Sequence, residues 1–421
     1  MSDLVRRDRQ VVWHPYTQHG LEDDPLPVRS ARGALLVLED GREIVDAISS
    51  WWTCLHGHAR PEIADAMRAQ AGTLDHVLFA GATHEPAVAL AERLVAIAPR
   101  GLSRVFFSDD GSTAVEVALK IAFQAHVQRG EKERRTFVAL EGGYHGDTFG
   151  AMAVGDPDPF FRAFEPLLFR VERSAPEAAA LERVLEGVGG RCAGVILEPL
   201  VQGAGGMRMH SPAFVAAVRE LCDRHRIPMI ADEVMTGFGR TGRLFACDHA
   251  GVTPDLLCLA KGLTGGVHPL AATLATEALF DAFRSTDRSR ALFHGHSFTA
   301  NPIGCAAALA SLAIVEREDV PARLDRNGAT IEAELRARLS RGAPVRDLRR
   351  TGGIVAFDLE SASGGYLSGD PRALRSRAID AGVLLRPLGN VVYAMPPACT
   401  DEAQCRVIAR AMVDLALHAA G

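Results

Sequence analysis

Of the 46 basic residues in the chain only three are lysines: Lys120, Lys132 and Lys261. A sequence that uses arginine for nearly every generic positive charge keeps lysine where arginine cannot serve. Arginine cannot lose its proton, whereas a buried lysine amine can, and it can then form a Schiff base with a carbonyl. Lys120 falls in an amphipathic stretch and Lys132 in the mixed-charge segment RGEKERR, both ordinary surface settings. Lys261 ends the apolar run LLCLA and precedes GLTGG, so its amine projects from a strand end among glycines. A lysine that snorkels to water is the plain alternative. Asp232, in MIADEV, also ends an apolar run, where a carboxylate is costly unless something positive meets it. A protonated pyridine nitrogen would serve, and that ring is the electron sink of pyridoxal 5'-phosphate. In DDGSTAV, Gly111 and Ser112 open a helical pattern whose N–H groups and macrodipole favour a phosphate, although turn-and-cap chemistry also explains the pair. A helix start, a strand-end aspartate and a strand-end lysine form the constellation of a pyridoxal phosphate enzyme. Tyr144, on the glycine turn GGYHG, either stacks on such a ring or packs in the core.

The elements that would position these residues alternate between strand and helix. Strand-like runs end in turn residues at 103–111 (SRVFFSDDG), 135–146 (RTFVALEGGYHG), 192–200 (CAGVILEPL), 227–234 (IPMIADEV) and 255–262 (DLLCLAKG), the last of the set. Helical spacing appears in STAVEVALKIAFQAHVQ and SPAFVAAVRELCDRHR. The fold class is therefore α/β, a mostly parallel central sheet with helices on both faces, and ligands of such sheets bind beyond the carboxyl ends of the strands. From about residue 306 amphipathic helices give way to short strands, a smaller α+β unit. Near the start, RGALLVLEDGREIVDAISS reads as a hairpin around Asp40-Gly41. The expected division is 1–49 as part of the small domain, 50–305 as the large cofactor domain and 306–421 as the rest of the small domain. One motif points elsewhere: residues 237–242, GFGRTG, match the G-x-G-x-x-G dinucleotide fingerprint. That fingerprint needs a helix opening on it. Residues 243–254, RLFACDHAGVTP, are too short and too broken by Gly251 and Pro254 to supply a crossover helix.

Composition excludes other classes. With 421 residues, 48% hydrophobic, 23% charged and a net charge of −6, the chain has globular proportions and no polybasic block for nucleic acid. No run is long and apolar enough for a membrane span, and MSDLVRRDRQVVW lacks a signal-peptide core, so a cytoplasmic protein is expected. The eight cysteines show no C-x-x-C pair, and His56-Gly-His58 and His294-Gly-His296 lack further ligands nearby, so no metal site is expected. There is no G-x-S-x-G elbow.

FFSDDGSTAVEVALK, GGYHGDTFGAM, EPLVQGAGG, ADEVMTGFGRTG, CLAKGLTGG and HGHSFTANPIG together resemble the class III aminotransferases of fold type I, across essentially the whole chain. The resemblance implies that Lys261 is the Schiff-base lysine, Asp232 the pyridinium partner and Tyr144 a ring-stacking, substrate-gating residue. It also implies a homodimer with shared active sites, in which Gly295, His296 and Ser297 reach the partner's cofactor phosphate. WHPYTQ and SSWWTCLHGH resemble the branch serving biotin synthesis, whose substrates are 8-amino-7-oxononanoate and S-adenosylmethionine. There Tyr16 and Trp51 would line the acceptor pocket with Trp52 beside them. A paired-tryptophan wall suits a methylene chain, and core anchoring is the alternative. In QGAGG, Ala204 stands where acetylornithine, ornithine and 4-aminobutyrate enzymes typically carry glutamate. LLRPLGNVVYAMPP resembles the same branch, placing Arg386 on the substrate carboxylate and Tyr393 near the donor. Asp147 would receive a substrate ammonium, or simply serve the turn. His296-Ser297 replaces the Pro-Thr of many members of the branch and is shared with lysine-using relatives, so lysine stands beside S-adenosylmethionine as a donor. An ω-amino-acid:pyruvate aminotransferase would share every cofactor residue.

Overall fold

The apolar runs assemble into one sheet. The computed structural model describes residues 2–21, 23–157, 160–339, 343–360 and 371–418. Its seven-stranded sheet runs in the order Leu102–Ser108, Ala271–Thr276, Leu256–Leu259, Met229–Asp232, Cys192–Leu197, Thr136–Leu140, Val171–Ser174. Only Ala271–Thr276 is antiparallel to its neighbours. Every residue of Cys192–Leu197, Met229–Asp232 and Leu256–Leu259 is buried. Their continuous hydrophobicity follows from cover on both faces. Phe137, Ala139, Ile196, Ile230 and Cys258 share a core with the helix Gly111–Gln128. The alternate residues Val138, Val195 and Leu197 share another with the helix Pro212–His225.

The sheet is larger than the sequence indicated. The run at 255–262 is not its last strand, because Ala271–Thr276 wedges between Leu102–Ser108 and Leu256–Leu259. This strand, AATLAT, is poor in the residues that favour sheets. Its small side chains allow close packing of the helix Gly111–Gln128, whose Ala114 carbonyl accepts a 2.8 Å hydrogen bond from Thr273 Oγ1. Val171–Ser174 is an edge strand whose sequence, VERS, has one apolar residue.

The ends of the chain meet. The strands Val28–Arg32, Leu35–Leu38 and Glu43–Asp46 form an antiparallel meander, and Val383–Leu384 adds to it parallel to Glu43–Asp46. A second antiparallel sheet joins Val345–Thr351, Ile354–Leu359 and Val391–Ala394, beside the helices Val320–Arg338 and Glu402–His418. The helix Pro302–Arg317 starts with proline in its first turn and with Asn301 Oδ1 accepting the N–H groups of Ile303 and Gly304, a proper N-cap. It runs through residues 305 and 306 and packs on the helices Pro61–Ala71 and Glu85–Ile97. Among the described residues no helix is long and apolar enough to cross a membrane.

Candidate active site

Beyond the carboxyl ends of the sheet lies a cavity of about 680 Å³, walled by Gly111, Ser112, Tyr144, Asp232 and Lys261 among others. Asp232 is the final residue of its strand and only 5% exposed. Its Oδ2 lies 2.7 Å from His145 Nδ1, and its Oδ1 accepts the Val234 N–H at 3.1 Å. Burial disfavours a charged His145, yet the hydrogen bond and charge of Asp232, with Glu198 behind, carry the imidazole above its ordinary pKa. Two oxygens with one donor each leave the carboxylate capacity to accept another N–H. Burial pushes Glu198 up to about 7, with His145 opposing, while its oxygens accept the N–H groups of Tyr144 (3.0 Å) and Gly203 (2.9 Å).

Lys261 opens the short 3-10 turn that follows the strand Leu256–Leu259, with φ +46°. Among the described residues its amine makes no hydrogen bond, and Nζ lies 4.6 Å from the centre of the Trp52 ring. Burial lowers the amine to about 8, with Asp232 and Glu198 pulling it back up. A lysine so placed keeps a neutral, nucleophilic fraction near neutral pH.

The opposite wall is the start of the helix Gly111–Gln128. Asp110 caps it: Oδ1 accepts the Thr113 N–H at 2.9 Å, and Thr113 Oγ1 accepts the Asp110 N–H at 3.1 Å. Ser112 Oγ accepts the Thr148 N–H at 2.9 Å and lies 2.8 Å from Thr148 Oγ1, which ties the helix start to the loop after Tyr144. Two glycines make this approach possible. A Cβ at Gly111 would lie 2.5 Å from Val234 Cγ1, and one at Gly146, where φ is +116°, would lie 2.5 Å from Ser112 Oγ. Bare backbone at a helix N-terminus, a carboxylate able to accept an N–H and a desolvated amine share one cavity. This donor set fits pyridoxal phosphate at its phosphate, ring nitrogen and aldehyde.

A second cavity of about 360 Å³ shares Trp52, Thr53, Tyr144 and Lys261 with the first. Two of its lining residues share one acceptor: the Tyr16 hydroxyl donates to Asp147 Oδ1 at 2.6 Å, and the Tyr144 hydroxyl donates to the same oxygen at 3.0 Å. The Arg386 guanidinium lies 4.4 Å over the Trp51 ring and, among the described residues, pairs with no carboxylate. Trp51 and Trp52 belong to a left-handed turn: Ser49, Ser50, Trp51 and Trp52 have φ of 50°, 44°, 68° and 74°. This conformation costs about 1–2 kcal/mol for each L-residue. Backbone bonds from Trp52 N–H to the Ile48 carbonyl and from Thr53 N–H to the Ser49 carbonyl (2.8 and 2.9 Å) close the turn.

Tyr393 is 1% exposed and lies behind Trp52, whose Nε1–H donates to its hydroxyl at 3.0 Å, so an indole separates it from the cavity. Gly295, His296 and Ser297 line neither cavity, and His296 Nε2 is 3.8 Å from Asp109. His145 escaped the sequence reading, where its only signal is its place beside Tyr144 in GGYHG. Arg240, in the middle of GFGRTG, is also new: it is buried and donates to the carbonyls of Trp52 and Pro396, both at 3.1 Å.

A mostly parallel sheet that presents a lysine, an aspartate and a helix N-terminus to one cavity defines a fold type I pyridoxal-phosphate-dependent transferase. Residues 16–415 match the protein family described as Aminotransferase class-III. The adenosylmethionine-8-amino-7-oxononanoate aminotransferase of Synechococcus elongatus is 49% identical over 420 residues, spanning 96% of this chain and 98% of that protein. The crystal structure of the enzyme of the same name from Methanocaldococcus jannaschii is similar with a TM-score of 0.94 and 35% identity, covering 99% of this chain and 98% of that one. A PLP-bound amine transaminase from an uncultivated Pseudomonas species reaches a TM-score of 0.90 at 33% identity, covering 97% and 99%. The chain belongs to the class III aminotransferase family, and it is a pyridoxal-phosphate-dependent enzyme.

Proposed function

We propose that the chain transfers an amino group from S-adenosylmethionine to 8-amino-7-oxononanoate, giving 7,8-diaminononanoate for biotin biosynthesis. The observation that carries this reading is the smaller cavity, where Arg386, without a carboxylate partner among the described residues, and the Trp51–Trp52 wall lead to Lys261. The acceptor has the matching order of groups: a carboxylate, a polymethylene chain and a ketone beside an amine. A guanidinium suits the carboxylate, indole faces suit the methylenes, and the lysine stands at the reacting end.

Gly111 and Ser112 would hold the cofactor phosphate, Asp232 its ring nitrogen and Lys261 its aldehyde carbon, with Tyr144 against the ring. Bound there, pyridoxal phosphate supplies a sink for the electrons released when the donor's C–H bond breaks. Asp232, oriented by His145 and the Val234 N–H, would keep a proton on the ring nitrogen. Lys261 Nζ, with its pKa brought to about 8, takes the proton from the donor carbon and delivers it again as general acid. Tyr16 and Tyr144, joined through Asp147, narrow the smaller cavity against water, and the Asp147 carboxylate is available to the acceptor's ammonium. Tyr393 acts from behind by fixing the Trp52 indole.

The assembly in this reading is a homodimer in which Gly295, His296 and Ser297 reach the phosphate in the partner's site. Phe293 and Phe298, which flank that loop and are 78% and 62% exposed, support such an interface. The grouping of 1–49 with the C-terminal unit is likewise part of the proposal, supported by the pairing of Val383–Leu384 with Glu43–Asp46, whereas the helix Pro302–Arg317 runs unbroken across 305/306. A cytoplasmic location suits eight cysteines that are all free. The test is product formation: enzyme, cofactor, S-adenosylmethionine and 8-amino-7-oxononanoate should yield 7,8-diaminononanoate by mass spectrometry. Product with lysine and not with S-adenosylmethionine would change the donor, and no product with either would end the reading.

A further inference from the structure

Four consecutive L-residues in the left-handed region need a cause outside their own preferences. Asp46 supplies one. It ends the strand Glu43–Asp46 and is fully buried. Its Oδ1 accepts the N–H groups of Ile48 (3.2 Å) and Ser50 (3.0 Å), the second of these inside the turn. Its Oδ2 accepts Ser50 Oγ–H at 2.8 Å and lies 2.8 Å from His58 Nε2. The chain leaves Asp46, makes the turn and returns at His58, so this pair closes the loop around residues 49–52. His58 is fixed in turn by backbone hydrogen bonds to and from Gly33 (2.7 and 3.1 Å), and its Nδ1 lies 3.7 Å from Cys54 Sγ. Burial works against a charged pair, but the contacts prevail: His58 is raised to about 10 and Asp46 is held below its ordinary range.

The turn decides where two adjacent rings go. An extended segment would send Trp51 and Trp52 to opposite faces. Here Trp51 meets Tyr16 edge-on at 5.6 Å and lies under Arg386, while Trp52 faces Lys261 and Tyr393. We propose that Asp46, held by His58, is a positioning residue that clamps this left-handed turn and thereby sets the tryptophan wall against which the acceptor's methylene chain packs. The identity of the acceptor rests on the function proposed above; the clamp does not.

The test uses the holoenzyme in a Trp13→Phe background, which leaves Trp51 and Trp52 as the only indoles. Asp46→Asn keeps the shape but removes the charge and half of the accepting capacity. It should raise KM for 8-amino-7-oxononanoate at least tenfold, leave kcat and the cofactor absorption band within twofold, and at least double acrylamide quenching of the indoles. Adding Ser50→Gly should recover at least threefold of the lost KM and reverse the quenching, because glycine takes φ +44° without strain. A KM within twofold of the parent, a cofactor band that changes along with KM, or no recovery on adding glycine would each overturn the clamp. If Asp46→Asn does not fold, His58→Gln takes its place: KM should rise at least threefold with an unchanged band, and an unchanged KM overturns the proposal. Should the parent enzyme not use 8-amino-7-oxononanoate at all, the functional reading fails, and quenching with its recovery by glycine still judges the clamp.

Discussion

Gly146→Ala tests the phosphate cradle with a single methyl group. That methyl would lie 2.5 Å from both Oγ and Cβ of Ser112, against about 3.5 Å for an ordinary contact. Ser112 would have to move by roughly 1 Å. It would then lose its hydrogen bonds with Thr148 and its place at the helix start. One hydrogen bond to a charged group is worth about 1.5–3 kcal/mol. Losing one to the phosphate should weaken cofactor binding by about tenfold to 150-fold. The substitution also carries a backbone penalty, because φ at Gly146 is +116°, and this lowers stability without touching the ligand. Gly130→Ala separates the two effects: φ is +83° there, and a Cβ would meet nothing within 4 Å. Titration of the apoprotein with pyridoxal phosphate should show weakened binding for Gly146→Ala alone, while both variants melt lower than the parent. Binding within twofold of the parent for Gly146→Ala, or equal weakening in both variants, would refute the cradle.

Arg386→Lys keeps the charge but loses the two-pronged grip, so KM for the keto acid should rise about tenfold or more, read by steady-state kinetics, with cofactor binding unchanged. Lys261 is protonated and unable to attack below its pKa of about 8, so cofactor capture by the apoprotein should speed up as pH rises and level off above that value in stopped-flow absorbance. Tyr393→Phe leaves the buried Trp52 Nε1–H without its acceptor and should cost about 1–3 kcal/mol in chemical denaturation.

The chemistry was legible because it sits where sequence patterns are strongest. Lys261 and Asp232 each end a short apolar run, and a lysine stands out when nearly all other cations are arginine. Ala271–Thr276 was not legible: alanine-rich strands arise from the need for close packing, which only the neighbouring helix reveals. His145 and the buried Arg240 carry no spacing signal, since their partners Asp232 and Pro396 lie far along the chain. The left-handed turn is hidden for the same reason. Local preference argues against it, and part of what holds it comes from the other end of the sequence, where the Met395 carbonyl accepts Ser49 Oγ–H at 2.8 Å and the Tyr393 hydroxyl accepts the Trp52 Nε1–H.

The most direct test of the amino-transfer assignment is a single half-reaction, in which cofactor-loaded enzyme meets one amino donor at a time while the cofactor absorption band is followed. S-adenosylmethionine alone should convert the band fully to that of the amine form of the cofactor, and later addition of 8-amino-7-oxononanoate should restore it. Conversion by alanine but not by S-adenosylmethionine or lysine, with no restoration by 8-amino-7-oxononanoate, would contradict the assignment.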